Sequence, residues 1–270
     1  MKLSTKLWGG MLCAMLCASA PCAQARAQDA KPIVQQAVNA ELAANRDDQS
    51  HWRYLRSEAG RTSFIVVETE HGAIGRHVDE NGRPASAKTL AEDDAHNLKF
   101  IHDPAEQKKQ RQNGEHDDKS AVELMNLLPQ AFLWSVVSQT PESTTLHFAP
   151  DPTFHPPDME ARVMGAMSGT LIVDKAQHRI RTMKGRLESD VTIGFGLLAR
   201  IKQGSTFDVE RRPVAPGYWE ITETHVHISG HALFFKTIGE QEDEVKSDFT
   251  LVPLGTPLDQ AVGMLKGAAK

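Results

Sequence analysis

The sequence predicts an α+β fold made mostly of antiparallel strands, and three patterns carry that expectation. From Met183 to Phe195 the odd positions hold Met183, Leu187, Val191, Ile193 and Phe195, while Lys184, Arg186, Glu188, Asp190 and Thr192 lie between them. Side chains of a strand alternate faces, so one face is apolar and the other wet. The alternation returns near the end, where Val245, Phe249 and Leu251 are set against Glu244, Lys246 and Asp248. Between Met159 and Val252 strand patterns succeed one another with almost no interruption, as in an antiparallel sheet with one solvated face.

The first 27 residues read as a Sec-type signal peptide. Met1 to Lys6 is basic, Leu7 to Ala20 is apolar, and Ala23-Gln24-Ala25 and Ala25-Arg26-Ala27 are small-x-small cleavage candidates. That apolar core is too short for an ordinary transmembrane helix, and no other stretch is long or apolar enough. The three cysteines, Cys13, Cys17 and Cys22, all lie in this segment. They follow Leu12, Leu16 and Pro21, whereas a lipid anchor needs a small residue before its cysteine. Cleavage after Ala25 or Ala27 leaves no thiol for a disulfide or a thiolate metal site. The expected product is periplasmic or secreted and not an integral membrane protein.

Cleavage after Ala27 removes Lys2, Lys6 and Arg26 but no acid. The 30 basic residues then fall to 27 against 35 acidic ones, a formal −8. This disfavours nucleic acid as a partner, and also purely electrostatic attachment to anionic lipid.

The 270 residues suffice for one large domain or two small ones. Pro32 opens a helix whose Val34, Val38 and Leu42 recur every four residues, with Ala37 between them. His51 to Glu70 reads as a hairpin turning at Ala59-Gly60-Arg61, with Phe64-Ile65-Val66-Val67 as a strand covered on both faces. Gly75 to Val78 is a third strand, closed by Asn81-Gly82.

From Ser86 to Leu128 the spacing turns helical. Ala91, Ala95 and Leu98, with Ile101 as a further member, mark the inner face of a helix that Ser86 caps. The charged and amide-rich run from Glu106 to Lys119 is expected to break at Asn113-Gly114. Ser120 then starts another helix, with Ala121, Leu124 and Leu128 on one stripe and Pro129 ending it.

Phe132–Ser138 and Thr144–Phe148 read as strands. Pro150, Pro152, Pro156 and Pro157 form an extended connector. Thr170–Val173 leads through a turn at Asp174–Gln177 to a strand from Arg179, and Phe207–Glu210 is another. In the long strand Tyr218–Leu233 the apolar phase changes near Thr222, the signature of a β-bulge. Leu258 to Leu265 forms a short helix or frays. The expected organisation is one β-rich domain over 28–252, a helical insertion at about 86–128, and a tail over 253–270.

Ser168-Gly169-Thr170-Leu171-Ile172-Val173-Asp174, followed by Lys175 to Arg181 and Leu187, resembles the strand–Asp-turn–strand pattern of the Lol-type lipoprotein carrier superfamily, which includes LolA, LolB and the RseB-like sensors. The order of elements over residues 30–252 is similar as well. The resemblance implies an open, incomplete β-barrel or strongly curved sheet packed around helices. It implies an apolar concave face that binds acyl chains without covalent chemistry, a lipid or lipoprotein as partner, and no cofactor. An envelope protein complex is a further candidate partner. No gating residue carries over by motif, and the Gln107–Asp118 insertion has no counterpart in the family.

On the alternation alone, the candidate ligand-lining residues are Trp52, Phe64, Val66, Leu124 and Leu128, together with Phe132, Trp134, Val191, Ile193 and Phe195. The same positions also suit plain core packing.

His225, His227 and His231 share a face of a regular strand and are the alternative metal set of a hydrolase, with a polar outer face as the simpler reading. Glu188 and Asp190 form a candidate acid pair on a face that equally suits solvent. Met159, Met164, Met167 and Met183 suit gap filling. Gly165-Ala166-Met167-Ser168-Gly169 misplaces the serine of a nucleophile elbow, and Gly194-Phe195-Gly196 lacks the third glycine of a dinucleotide site. The leading expectation is an exported, non-catalytic binder. The alternatives are a metal-dependent hydrolase and a scaffold whose cavity is filled by its own helices.

Overall fold

A computed structural model of the chain describes residues 30–193, 199–232 and 236–266. The signal segment and Phe195 lie outside them. The chain runs through α1 (Lys31–Asp47), β1 (His51–Glu58), β2 (Thr62–Thr69), β3 (Gly72–Glu80) and the short β4 (Arg83–Pro84). Then come α2 (Ala87–Ile101), α3 (Pro104–Ala131), β5 (Phe132–Gln139), β6 (Ser143–Pro150) and α4 (Met159–Gly165). They are followed by β7 (Met167–Asp174), β8 (Ile180–Leu187), β9 (Val191–Ile193), β10 (Ala199–Ile201) and β11 (Thr206–Ala215). β12 (Tyr218–Ala232), β13 (Lys236–Val252) and α5 (Leu258–Lys266) complete it.

These strands form one antiparallel sheet in the order β4-β3-β2-β1-β13-β12-β11-β8-β7-β6-β5, with the β9–β10 hairpin paired to the far end of β12. The path ends at β4 and β5, so the sheet is open, as the sequence predicts. The expected bulge is present. Glu210 pairs with Glu223 and Arg211 with Ile221, leaving Thr222 as the extra residue of β12.

Helices cover both faces. Val34, Ala37 and Val38 of α1 pack with Leu146, Phe148, Leu171 and Leu187 of β6, β7 and β8, the largest core. Ile65 and Val67 of β2 meet Leu258, Ala261 and Leu265 of α5. Val66, between them, belongs to a separate cluster with Trp52 and Tyr54. The period of two thus puts α5 on the side opposite Trp52.

Backbone groups along the β3 edge beyond β4 are paired by side chains. Asn97 Nδ2 donates to the Gly75 carbonyl at 2.9 Å, and the His77 N–H donates to Asp93 Oδ2 at 2.8 Å. Gln110 of α3 pairs with Ala73. An unpaired edge is a template for aggregation, and these amides and acids cover it.

Several expectations fail for identifiable reasons. α2 begins after the Ser86 cap, but Ala91, Ala95 and Leu98 are exposed, because Asn97 and Phe100 face the protein. α3 is continuous from Pro104 to Ala131, with no break at Asn113-Gly114 and no new start at Ser120. Asp103 caps it, and Gln107 Nε2 donates to the Phe100 and Ile101 carbonyls, so its first turns are tied down. Pro129 lies inside the last turn, not at its end. α4 interrupts the expected run of strands after Met159; Asp158 caps it by accepting the Ala161 N–H at 2.8 Å. The expected strand Met183–Phe195 divides into β8 and β9 at Glu188–Asp190. On β13 Val245 and Leu251 are exposed while Phe249 packs inward; the register slips opposite Arg53/Leu55, where Asp248 takes a positive φ of 57°.

Candidate functional site

β8 and β11 lie side by side beneath the second half of α3. Met183 pairs with Val209, and Gly185 with Phe207. A side chain on Gly185 would collide with the Phe207 ring, so glycine lets that ring lie against the sheet. Leu124, Met125 and Leu128 of α3 face Met183 and Phe207, and Val163 and Met164 of α4 close one side. Together they bound an apolar crevice of about 500 Å³ in which Glu160 is the one charged wall residue among those described. Met159 and Met167 add to the walls, so methionines that suit gap filling also line open space. Unbranched thioethers repack around irregular guests at little cost.

A second crevice of about 520 Å³ adjoins the first, and Ala121 and Met125 wall both. Its chemistry is opposite. Glu41, buried near the end of α1, accepts from the Ile180 N–H at 2.7 Å and from Arg179 at 3.0 Å, and it also binds Arg211. The Arg179 guanidinium lies 5.8 Å from the centroid of the Trp219 ring, and Arg211 donates to the Trp219 carbonyl at 3.1 Å. Glu68 and Glu220 are on the same wall. Burial pushes both carboxyls up, Glu220 to about 7. This face therefore runs from apolar at Met183 and Phe207 to charged at Arg211 of β11 and at Arg179, the residue before β8.

The sequence-derived candidates do not form one lining. Leu124 and Leu128 line the apolar crevice, and Trp52 the polar one. Phe132 and Trp134 are buried with Phe148, at ring separations of 4.7 and 5.4 Å, and Trp134 Nε1 donates to the Leu128 carbonyl. Val191 is also core. Phe64 lies 4.3 Å from the His77 ring and beneath Arg56, and Val66 packs with Trp52 and Tyr54. Ile193 is on β9, and Phe195 falls outside the described residues. Five of the ten are thus packing residues away from either crevice, because alternation marks the buried face of a strand but not where that face is left uncovered.

His225 Nδ1 and His227 Nε2 both contact Asp243 Oδ1, at 2.8 and 3.0 Å. Hydrogen bonds from Gln241, His225 and His227 hold the Asp243 carboxyl well below its usual range. The side chain of His231 lies outside the described set. Among the described residues no group of three or more His, Cys, Asp or Glu is arranged to hold a metal ion. Glu188 and Asp190 do not act as a pair: Glu188 accepts from Ser168, while Asp190 accepts from the Gln203 N–H and lies near Arg200.

Sequence reasoning missed Glu41, Arg179 and Arg211, and also Phe207 and the wall role of the methionines. Glu41 carried one usable signal, a lone acid on the apolar stripe of Val34, Val38 and Leu42. Among the described residues no helix is long and apolar enough to cross a membrane. Comparison with protein-family models, curated proteins and solved structures finds no match.

Proposed function

We propose that the chain is an exported, non-catalytic binding protein that holds the acyl chain of a lipid or lipoprotein in the crevice between α3, α4 and the β8–β11 floor. The observation that carries this reading is the crevice itself: about 500 Å³ of open space with almost wholly apolar walls. Its volume lies within the range of about 300–1,000 Å³ usual for small-molecule sites. Each buried methylene of a guest contributes about 0.8 kcal/mol, so a chain of modest length binds usefully without polar contacts. The amino-terminal signal pattern supports export, and the resemblance to Lol-type carriers in the order of elements supports a lipid cargo.

Native mass spectrometry of protein purified from its own envelope fraction, followed by lipid extraction, tests this. Bound phospholipid or acylated peptide in the native chain, absent from Leu124→Lys, is the expected result. A native chain that carries no lipid and takes up none from mixed vesicles would overturn the reading.

A further inference from the structure

We infer that the polar crevice is a head-group site, and that the cargo is a single-chain amphiphile with an anionic head, carboxylate or phosphate, which Arg179 and Arg211 hold. This rests on the acyl-chain reading above and adds a chemical class to it.

Four observations lead there. The two crevices share Ala121 and Met125 as walls, so a chain lying against Met183 and Phe207 has its end directed along β8 and β11 toward Arg179 and Arg211. The two guanidinium groups share a single buried carboxylate, Glu41, while Asp48, Glu68, Asp118 and Glu220 are further acids of the same crevice. Among the described residues, three buried N–H donors find no acceptor, namely Arg179 Nε, Arg211 Nε and Trp52 Nε1, and all three residues line this crevice. A donor removed from water without a partner costs about 1–3 kcal/mol, so an acceptor is favoured there. Two of the acids on the same wall, Glu68 and Glu220, are tempered. Glu68 accepts the Trp52 backbone N–H at 3.1 Å, and burial shifts both Glu68 and Glu220 toward the neutral form. Planar guanidinium donors match carboxylate and phosphate oxygens, whereas a cationic or uncharged head leaves them unsatisfied.

Isothermal titration calorimetry of the delipidated protein with chain-matched probes below their micelle concentrations is decisive. Dodecanoate and dodecyl phosphate provide the two anionic heads, dodecanol the neutral one and dodecyltrimethylammonium the cationic one. At least one anion should bind about tenfold or more tighter than dodecanol, the value of a charge-assisted hydrogen bond. Arg211→Gln should cut that ratio several-fold, and Arg211→Lys should restore part of it. Met183→Lys should weaken dodecanol and anions alike. Equal affinities for dodecanol and both anions, or a preference for the ammonium probe, would overturn the head-group site and leave the acyl-chain reading standing. Failure of every probe to bind would overturn both.

Discussion

Gln110 and Ala73 hydrogen-bond each other in both directions. The Ala73 N–H donates to Gln110 Oε1 at 2.7 Å, and Gln110 Nε2 donates to the Ala73 carbonyl at 3.2 Å. A side-chain amide thus takes the position a neighbouring strand would occupy on the β3 edge. Gln110→Ala opens that edge. Because the site is exposed, water replaces part of the lost pairing, and the expected cost is at the low end for a hydrogen bond, about 0.5–1.5 kcal/mol. Urea denaturation gives the cost. Amide exchange at Ala73 should accelerate; unchanged exchange there would show that the pairing does not protect the edge.

Glu41 holds α1 to β8 and β11 through Ile180, Arg179 and Arg211. Removing its charge strands two guanidinium groups in a partly dry site. Breaking one side of a buried ion pair costs about 3–5 kcal/mol, far more than losing an exposed pair. Glu41→Gln should therefore lower the denaturation midpoint strongly. Lys88→Ala, which removes the exposed Lys88–Glu92 pair, should have almost no effect. Equal effects from the two variants would contradict the role given to Glu41.

How much of this was legible depends on which force organises each element. Where one apolar face meets a core, spacing suffices: Val34, Ala37 and Val38 identify α1, and the phase change near Thr222 identifies the bulge. Where an element covers a strand edge, the contacts must be polar, and hydrophobic spacing points the wrong way. On α2 it selects Ala91, Ala95 and Leu98, which are exposed, along with Ile101, which packs, whereas Asn97 and Asp93 make the edge contacts. Asn113-Gly114 reads as a break because local propensity disfavours helix there. The anchoring of Gln107 and Gln110 by neighbouring elements outweighs a glycine's roughly 1 kcal/mol. Glu41, Arg179 and Arg211 come together only after the sheet is assembled, so no local window reveals them.

Two glycines should respond to alanine with opposite signs. Gly114 lies within α3, and a methyl group there meets nothing within 4 Å. Gly114→Ala should stabilise the fold by about 0.5–1 kcal/mol, through helix propensity alone. At Gly185 the methyl collides with the Phe207 ring on the floor of the apolar crevice. Gly185→Ala should destabilise by about 1–3 kcal/mol, typical of overpacking, and should also weaken dodecanol binding. Thermal melts with calorimetric titration separate the two effects. A stabilised Gly185→Ala would mean that the ring moves freely and does not form the floor.

Glu220 links stability to pH. Burial, followed by the neighbouring Glu68 and Asp48 charges, raises its carboxyl to about 7 from the ordinary 4.5, while Arg211 and Lys246 pull the other way. The folded state therefore keeps a proton that the unfolded chain releases earlier. Stability from this group is fully present below about pH 4.5 and is lost as pH rises through about 7. Allowing for its partial exposure, the swing amounts to about 1–3 kcal/mol. Glu220→Gln carries a permanently neutral side chain. It should be more stable than the parent by about that amount at pH 8, and close to it at pH 4. Denaturant titrations of both proteins at the two pH values check this. A constant difference between them, or one that grows as pH falls, would mean that Glu220 is charged in the folded protein and held by Arg211 and Lys246.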